Sequence, residues 1–292
     1  PQDRDESLLG HKPFLVLSDY LTRQGIAVLR YDDRGVGKSS GAFENATSAD
    51  FATDAQSAVK YLMSRLDIDH MHIGLLGHSE GGIIAPMVAS QSKDVAFIVL
   101  LAGTGIRGDS LLLLQQKLIL KASGASEADV EESSQTNARF FKLILENENQ
   151  DALRELISKE LTKMYLEMTE EEKQGMTEAD WVDMEIEQIL SPWMQYFIRY
   201  DPAPALEKVK CPVMAVNGEK DLQVPPKENI AAIEAALRKG GNKKVTTIIY
   251  PGLNHLFQEC TTGSPNEYAD IEQTLSPVMM ESVGQWILKT VK

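Results

Sequence analysis

The chain contains the stretch Met71-His72-Ile73-Gly74-Leu75-Leu76-Gly77-His78-Ser79-Glu80-Gly81, which decides its fold class. The apolar first part predicts a strand, and residues 82–89 have the composition of a helix. Between them lies G-x-S-x-G, whose glycines indicate a turn too tight for side chains on either side of the serine. Such a turn projects the serine hydroxyl above the edge of a sheet, and the N-terminus of the next helix faces any developing negative charge. Ser79 is therefore predicted to be a nucleophile.

Two later strand ends carry the residue types that an activated serine requires. Residues 212–218 are predicted to form a buried strand, and Glu219-Lys220-Asp221 follows it. Residues 245–250 are predicted to form the next strand, and a loop that ends in His255 follows that one. Catalytic groups of open parallel sheets collect at the carboxyl ends of strands. The order serine, acid, histidine along the chain therefore predicts a catalytic triad.

These motifs resemble those of α/β-hydrolases, in particular the bacterial serine esterase and prolyl-oligopeptidase-like group. The resemblance covers the chain outside its middle part and rests on four stretches: GHSEGG at 77–82, GEKDLQVP at 218–225, GLNH at 252–255 and RYDDRGVGKS at 30–39. It implies that Ser79 is the nucleophile and that His255 is the general base and acid. It also implies that Asp221, rather than Glu219, orients the histidine, and that the backbone N–H of Glu80 is one oxyanion donor.

One departure from the family concerns the start of the chain. The full fold has about eight strands, and its first three precede the first helix predicted here, at 14–22. This chain shows about five strands, so the first strands are expected to be missing from the numbered chain. In the family the second oxyanion donor lies on the loop before that helix. Here that loop falls at or just before residues 1–5, and Gln2 is the residue nominated for it.

The alternation of strands and helices divides the chain into two predicted parts. Residues 1–106 and 206–292 are expected to form the α/β core, a mostly parallel sheet with helices on both faces. Residues 107–205 carry helical patterns without a convincing strand and are interpreted as an inserted helical lid. The predicted strands are 26–31, 71–76, 95–101, 212–218 and 245–250. The predicted helices are 14–22, 48–66, 111–120, 137–145, 152–164, 179–190, 231–238 and 277–291.

The charge of the chain excludes some classes of partner. It has 29 Lys and Arg against 43 Asp and Glu in 292 residues, a formal net charge of −14. Nucleic acids and anionic membrane surfaces attract basic proteins, so neither is an expected partner. No apolar run is long enough to span a membrane. His70 and His72 have a spacing seen in metal sites, but no third ligand accompanies them, and neither a metal nor a cofactor is expected.

The predicted function is cleavage of small to medium, uncharged acyl or aryl esters through an acyl-enzyme. Trp193, Met194, Tyr196 and Phe197 are expected either to form an apolar wall over the pocket or to pack inside the lid. A serine peptidase and a catalytically silent binding protein are the alternatives. The natural substrate, the oligomeric state and the location stay open. Similar bacterial proteins are often exported, and a signal for the periplasm or cell envelope would lie upstream of Pro1.

Overall fold

The computed structural model describes residues 2–292, so Pro1, the first residue of the predicted core, lies outside the described residues. Four parallel strands form one sheet in the order β1-β2-β3-β4. They are β1 (Gly74–His78), β2 (Phe97–Leu101), β3 (Val213–Gly218) and β4 (Val245–Tyr250). The helices of the core are α1 (Pro13–Arg23), α2 (Ser48–Met63), α3 (Gly81–Ala89), α11 (Pro226–Lys239) and α12 (Pro277–Thr290).

The sheet is covered by helices on both faces, and alternate residues of its strands point to opposite sides. In β2, Val99 packs with α1 and α12, whereas Ile98 and Leu100 pack with α2, α3 and α11. All five side chains of β2 are buried. A strand buried on both faces must be apolar throughout, which is why this strand was a continuous apolar run in the sequence.

Seven helices lie between β2 and β3 and include a hydrophobic core of their own. They are α4 (Gly108–Ala122), α5 (Glu127–Glu146), α6 (Gln150–Glu167), α7 (Glu170–Lys173), α8 (Glu178–Ile189), α9 (Pro192–Arg199) and α10 (Ala203–Leu206). That core includes Ile144, Leu153 and Ile186, all fully buried. In residues 2–292, no helix is both long and apolar enough to cross a membrane.

Two strand predictions need correction. Residues 26–31 form no strand, and Val28, Leu29 and Tyr31 are 38–41% exposed. An apolar run becomes a strand only where a neighbouring backbone pairs with it, and β1 is the edge of the sheet in the described part of the chain. The strand predicted at 71–76 begins instead at Gly74, because residues 70–72 form a 3-10 turn in which the Asp69 side chain accepts the N–H of Met71.

Candidate active site

Ser79 lies in a sharp turn between β1 and α3. Its backbone φ is +52°, in the left-handed region that residues other than glycine rarely adopt. Its backbone N–H donates to Leu101 O at 2.9 Å. A non-glycine residue held in this region is strained, and such strain is found at functional turns. The main-chain hydrogen bond ties the turn to the end of the neighbouring strand β2, so the turn is held at the carboxyl edge of the sheet.

The two glycines that flank the serine have different roles. A Cβ added to Gly77 would lie 2.0 Å from the backbone oxygen of Gly81, so a side chain there is impossible without moving the turn. A Cβ on Gly81 would meet nothing within 4 Å. The expectation that both glycines are sterically required is therefore right for Gly77 and wrong for Gly81. The second tight position is Gly82, where a Cβ would lie 2.4 Å from the Cα of Gly103.

His255 and Asp221 meet at the ends of β3 and β4. Asp221 Oδ2 lies 2.8 Å from His255 Nδ1, and the two residues are only 2% and 4% exposed. The other carboxylate oxygen, Oδ1, accepts the backbone N–H groups of Gln223 and Val224, each at 2.8 Å. These two main-chain bonds hold the carboxylate in one orientation, so that Oδ2 faces the imidazole.

Glu219, the alternative acid, points elsewhere. It is exposed, and its Oε2 accepts the backbone N–H of Gly252 at 3.0 Å. This bond ties the loop after β3 to the loop after β4. The geometry therefore gives His255 the partner that the family resemblance implies and gives Glu219 a role in the loop.

Asn254 and Gln258 shape the histidine loop and were missed in the sequence analysis. Both are fully buried. Asn254 Oδ1 accepts the backbone N–H groups of Leu256 and Gln258, and its side-chain amide donates to Gln258 Oε1. This closed set of bonds fixes the backbone on both sides of His255. The only signal in the sequence was an Asn next to the predicted histidine, a residue that often hydrogen-bonds the backbone of its own turn.

The Ser79 hydroxyl makes no hydrogen bond to any residue that the structure describes. Its neighbour in sequence, His78, nevertheless contacts the loop that carries His255. His78 Nε2 donates to His255 O at 3.0 Å, and the centroids of the two rings are 4.7 Å apart. The serine and the histidine loop are thus brought to the same place. In enzymes without substrate, the hydrogen bond between nucleophile and base is often long.

The predicted oxyanion donors differ in availability. The backbone N–H of Glu80 makes no hydrogen bond within residues 2–292, and it lies at the N-terminal end of α3. The backbone N–H of Gln2 donates to Asp33 Oδ2 at 2.8 Å, and Gln2 is exposed. An N–H that already donates to a carboxylate is not free for an oxyanion. The geometry therefore leaves the Glu80 donor available and does not support the one nominated at Gln2.

The side chain of Glu80 joins the turn that carries Ser79 to the insertion, the helices α4–α10 between β2 and β3. Its Oε1 accepts the hydroxyl of Ser48 at 2.6 Å and the indole N–H of Trp193 at 2.8 Å. Burial raises the pKa of the Glu80 carboxyl, and these two hydrogen bonds oppose that rise. The Ser48 hydroxyl is thus bound to Glu80. The start of α2 is held by Thr47, whose N–H and hydroxyl both donate to Asp50.

The four aromatic and methionine residues predicted to wall the pocket separate into two groups. Trp193 stacks on Phe197 with centroids 5.0 Å apart, and Phe197 packs with Ile83 of α3. Tyr196 packs in the same cluster. Met194 packs instead against the internal core of the insertion. The structure therefore brings Trp193, Tyr196 and Phe197 to the boundary with the α/β core and leaves Met194 inside the insertion.

A buried ion pair next to Ser79 in the sequence was also missed. His78 Nδ1 lies 2.8 Å from Glu6 Oε1, and the two side chains are 6% and 11% exposed. Burial opposes the charge on the imidazole, but the Glu6 carboxylate and its hydrogen bond outweigh it and raise the pKa of His78 to about 9. No pattern in the sequence points to Glu6, because it lies 72 positions before His78 along the chain.

Comparisons with known proteins agree with this fold. A family model described as "BAAT / Acyl-CoA thioester hydrolase C terminal" matches residues 55–262. The chain is 24% identical to Esterase EstD of Thermotoga maritima over 294 residues, which cover 99% of this chain and 60% of that protein. The chain thus spans less than two thirds of the length of this relative.

Solved structures show the same architecture. The alpha/beta hydrolase GrgF from Penicillium sp. sh18 matches with a TM-score of 0.57 and 16% identity, covering 100% of this chain and 86% of that one. Est1E from Butyrivibrio proteoclasticus, solved with ferulic acid bound, matches with a TM-score of 0.51 and 15% identity, covering 99% and 87%. The predicted α/β-hydrolase fold is therefore confirmed.

Proposed function

Because the chain belongs to the family of BAAT / acyl-CoA thioester hydrolase C-terminal domains, we propose that it is a serine hydrolase that cleaves carboxylic esters through an acyl-enzyme on Ser79. The observation that carries the proposal is the buried pair of Asp221 and His255 beside a strained serine turn. A serine hydroxyl is a weak nucleophile unless a base takes its proton, and this pair is the arrangement that supplies one.

The reaction would proceed in two halves. Ser79 Oγ attacks the ester carbonyl carbon while His255 Nε2 takes the hydroxyl proton. That proton then passes to the leaving alcohol oxygen as its bond to the carbonyl carbon breaks. Water then attacks the acyl carbon while His255 Nε2 takes a proton from it. That proton returns to Ser79 Oγ as the bond between Oγ and the acyl carbon breaks and the acid leaves. Asp221 holds the ring through Nδ1 and stabilises the imidazolium that forms in each half.

The negative charge that develops on the carbonyl oxygen needs donors already in place. The unengaged backbone N–H of Glu80 is proposed as one of them. It lies at the N-terminal end of α3, where the helix dipole also favours negative charge. Removing one such donor in other serine hydrolases costs about 100- to 1000-fold in rate, so this contribution would be large.

Acyl thioesters are a second candidate substrate class. The description of the matching family names acyl-CoA thioester hydrolases, and the same acyl-enzyme chemistry cleaves a thioester, with a thiol as leaving group. A carboxylic ester and a thioester share the carbonyl that the serine attacks. The two candidates therefore differ in the leaving-group side of the pocket and not in the catalytic residues.

Residues 107–205 are proposed to act as a lid that shapes the pocket. The insertion follows the end of β2, and α9 reaches the nucleophile turn through the hydrogen bond from Trp193 to Glu80. Its strongly acidic segment, residues 127–187, holds 18 acidic and 6 basic side chains. An apolar face toward the pocket and a charged face toward water is the expected arrangement for such a lid.

The proposed activity predicts a defined result with a substrate panel. We expect p-nitrophenyl esters with acyl chains of two to twelve carbons to be hydrolysed, and a fluorophosphonate probe to label the protein once, at Ser79. Acyl thioesters with the same acyl chains show which of the two candidate substrate classes is preferred. Peptide amides in the same panel distinguish both from a peptidase. Peptide cleavage without ester cleavage would replace the esterase assignment, and absence of labelling on folded protein would contradict an activated serine.

The lid proposal predicts a change of substrate preference at Trp193. In Trp193→Ala, the indole and its bond to Glu80 are lost, and we expect the ratio of kcat/KM between long and short acyl esters to change about fivefold, the effect of about 1 kcal/mol of pocket contact. Fluorophosphonate labelling of Ser79 should persist. Trp181→Ala is the matched control, because Trp181 packs in the internal core of the insertion. The lid proposal would be contradicted if Trp193→Ala left the ratio of kcat/KM between long and short esters unchanged. It would also be contradicted if Trp181→Ala changed that ratio by the same amount.

A further inference from the structure

We propose that His78, held by Glu6, is a positioning residue for the catalytic histidine: its Nε2–H supports the main-chain carbonyl of His255 and so keeps the imidazole of His255 beside Ser79. This inference rests on the proposed function of Ser79 and His255. His78 links two distant parts of the chain through its two ring nitrogens. Nδ1 lies 2.8 Å from Glu6 Oε1, and Nε2 lies 3.0 Å from His255 O.

The partners of His78 determine where its protons are. A carbonyl oxygen only accepts hydrogen bonds, so the nitrogen that faces His255 O must carry a hydrogen. The other nitrogen faces a carboxylate and shares a proton with it. The Nε2–H donor is thus required by the geometry itself, and Glu6 keeps the ring in the orientation that directs this donor at the loop.

The pair is enclosed rather than solvated. Phe14 and Phe257 lie against the His78 ring, with centroids 6.3 Å away in each case. The charge on the ring is favoured because the Glu6 carboxylate outweighs the burial, which raises the pKa of His78 to about 9. A buried ion pair among apolar side chains is costly to desolvate and is weak support for stability. Its bond to the catalytic loop gives it a second role, in geometry.

Glu6 is itself held in place. Its φ is +53°, and its N–H donates to Asp3 O at 3.0 Å. Arg4, two residues earlier, donates from its side chain and its backbone to Asp32, which is buried. The segment that carries Glu6 is therefore anchored to the loop after residue 31, and Glu6 reaches His78 from a fixed backbone.

The Glu6–His78 pair therefore lies next to the Asp221–His255 pair, and the centroids of the two imidazole rings are 4.7 Å apart. Asp221 fixes the His255 ring from its Nδ1 side, and His78 fixes the backbone from which that ring projects. Loss of the second support would let the ring move while the substrate pocket stays as it is. The expected effect is therefore a fall in kcat with little change in KM.

The test compares two amides at position 78. A glutamine amide nitrogen falls near the position of histidine Nε2, and an asparagine amide nitrogen falls near that of Nδ1. We expect His78→Asn to lower kcat about 10- to 100-fold with KM within about twofold, as a displaced catalytic group does. His78→Gln should recover most of that loss. His72→Asn is the matched control, because His72 forms a similar pair with Asp69 on the surface and should keep the kcat of the parent.

A second measurement does not depend on activity. In ¹⁵N spectra of the histidines, His78 should be doubly protonated at pH 7, and the His255 ring signals should shift in His78→Asn but much less in His78→Gln. The positioning role would be overturned if His78→Asn and His78→Gln lost kcat equally, in proportion to their loss of melting temperature. Unchanged His255 signals in His78→Asn would also overturn it. If the parent hydrolyses no ester and is not labelled by the fluorophosphonate, the proposed function fails. The spectra then test by themselves whether His78 holds the loop that carries His255.

Discussion

Replacing Ser79 by alanine is expected to abolish hydrolysis, with kcat lowered about 10⁶-fold, the loss seen when the nucleophile of a serine protease is removed. The physical reason is that no other hydroxyl occupies the turn between β1 and α3, where the backbone N–H of Glu80 is available. The fold should survive, because the Ser79 hydroxyl makes no hydrogen bond to another described residue.

The measurement is the rate of ester hydrolysis by purified protein of verified mass, with circular dichroism as the check of folding. Ser90→Ala is a matched control, since Ser90 lies just after the end of the same helix and its hydroxyl bonds to Met87 O. That variant should keep the activity of the parent. More than a few per cent of parental activity in Ser79→Ala would refute the assignment of the nucleophile.

Substitution of the acid–histidine pair should be nearly as damaging, and the structure explains why a conservative change is severe. His255→Ala removes the base and should cost about 10⁶-fold in kcat, whereas Asp221→Asn should cost about 10⁴-fold. In the asparagine variant, the side-chain oxygen must still accept the N–H groups of Gln223 and Val224. The amide NH₂ then faces His255 Nδ1 and stabilises the tautomer whose Nε2 is protonated, so Nε2 cannot accept the serine proton.

Glu219→Gln is the control for this pair. The new side chain retains its carbonyl oxygen, which can still accept the N–H of Gly252 at the loop contact. We therefore expect its kcat/KM to stay within about twofold of the parent, as for a surface change away from the reacting groups. A larger loss in Glu219→Gln than in Asp221→Asn would mean that the acid of the triad has been assigned to the wrong residue.

Local patterns in the sequence were sufficient for much of the fold. A strand, a glycine-bounded serine and a helix are all encoded within residues 71–89. The periodicity of residues 107–205 predicted helices at four of the seven places where the structure has one, and it missed α7, α9 and α10. These features depend on side chains that are neighbours along the chain. Residues 26–31 show the limit of such patterns, because a strand also needs a partner that no local pattern records.

The site shows the same division. The sequence by itself determined that a serine turn, an acidic loop and a histidine loop would meet at one edge of a parallel sheet, because the carboxyl ends of parallel strands share that edge. The family resemblance favoured Asp221 over Glu219 as the acid, but only the tertiary structure shows how each side chain is held. Two main-chain N–H groups orient Asp221, whereas Glu219 accepts the N–H of Gly252.

The hydrogen bonds that hold the loop around His255 also depend on the tertiary structure. Glu6 and His78 are 72 positions apart, and His78 and the His255 carbonyl are 177 apart. Hydrogen bonds over such separations depend on how whole elements pack, and no spacing along the chain encodes them. The requirement for glycine at 77 but not at 81 likewise follows from the path of the folded backbone, which brings the Gly81 oxygen against Gly77 and leaves the space beside Gly81 open.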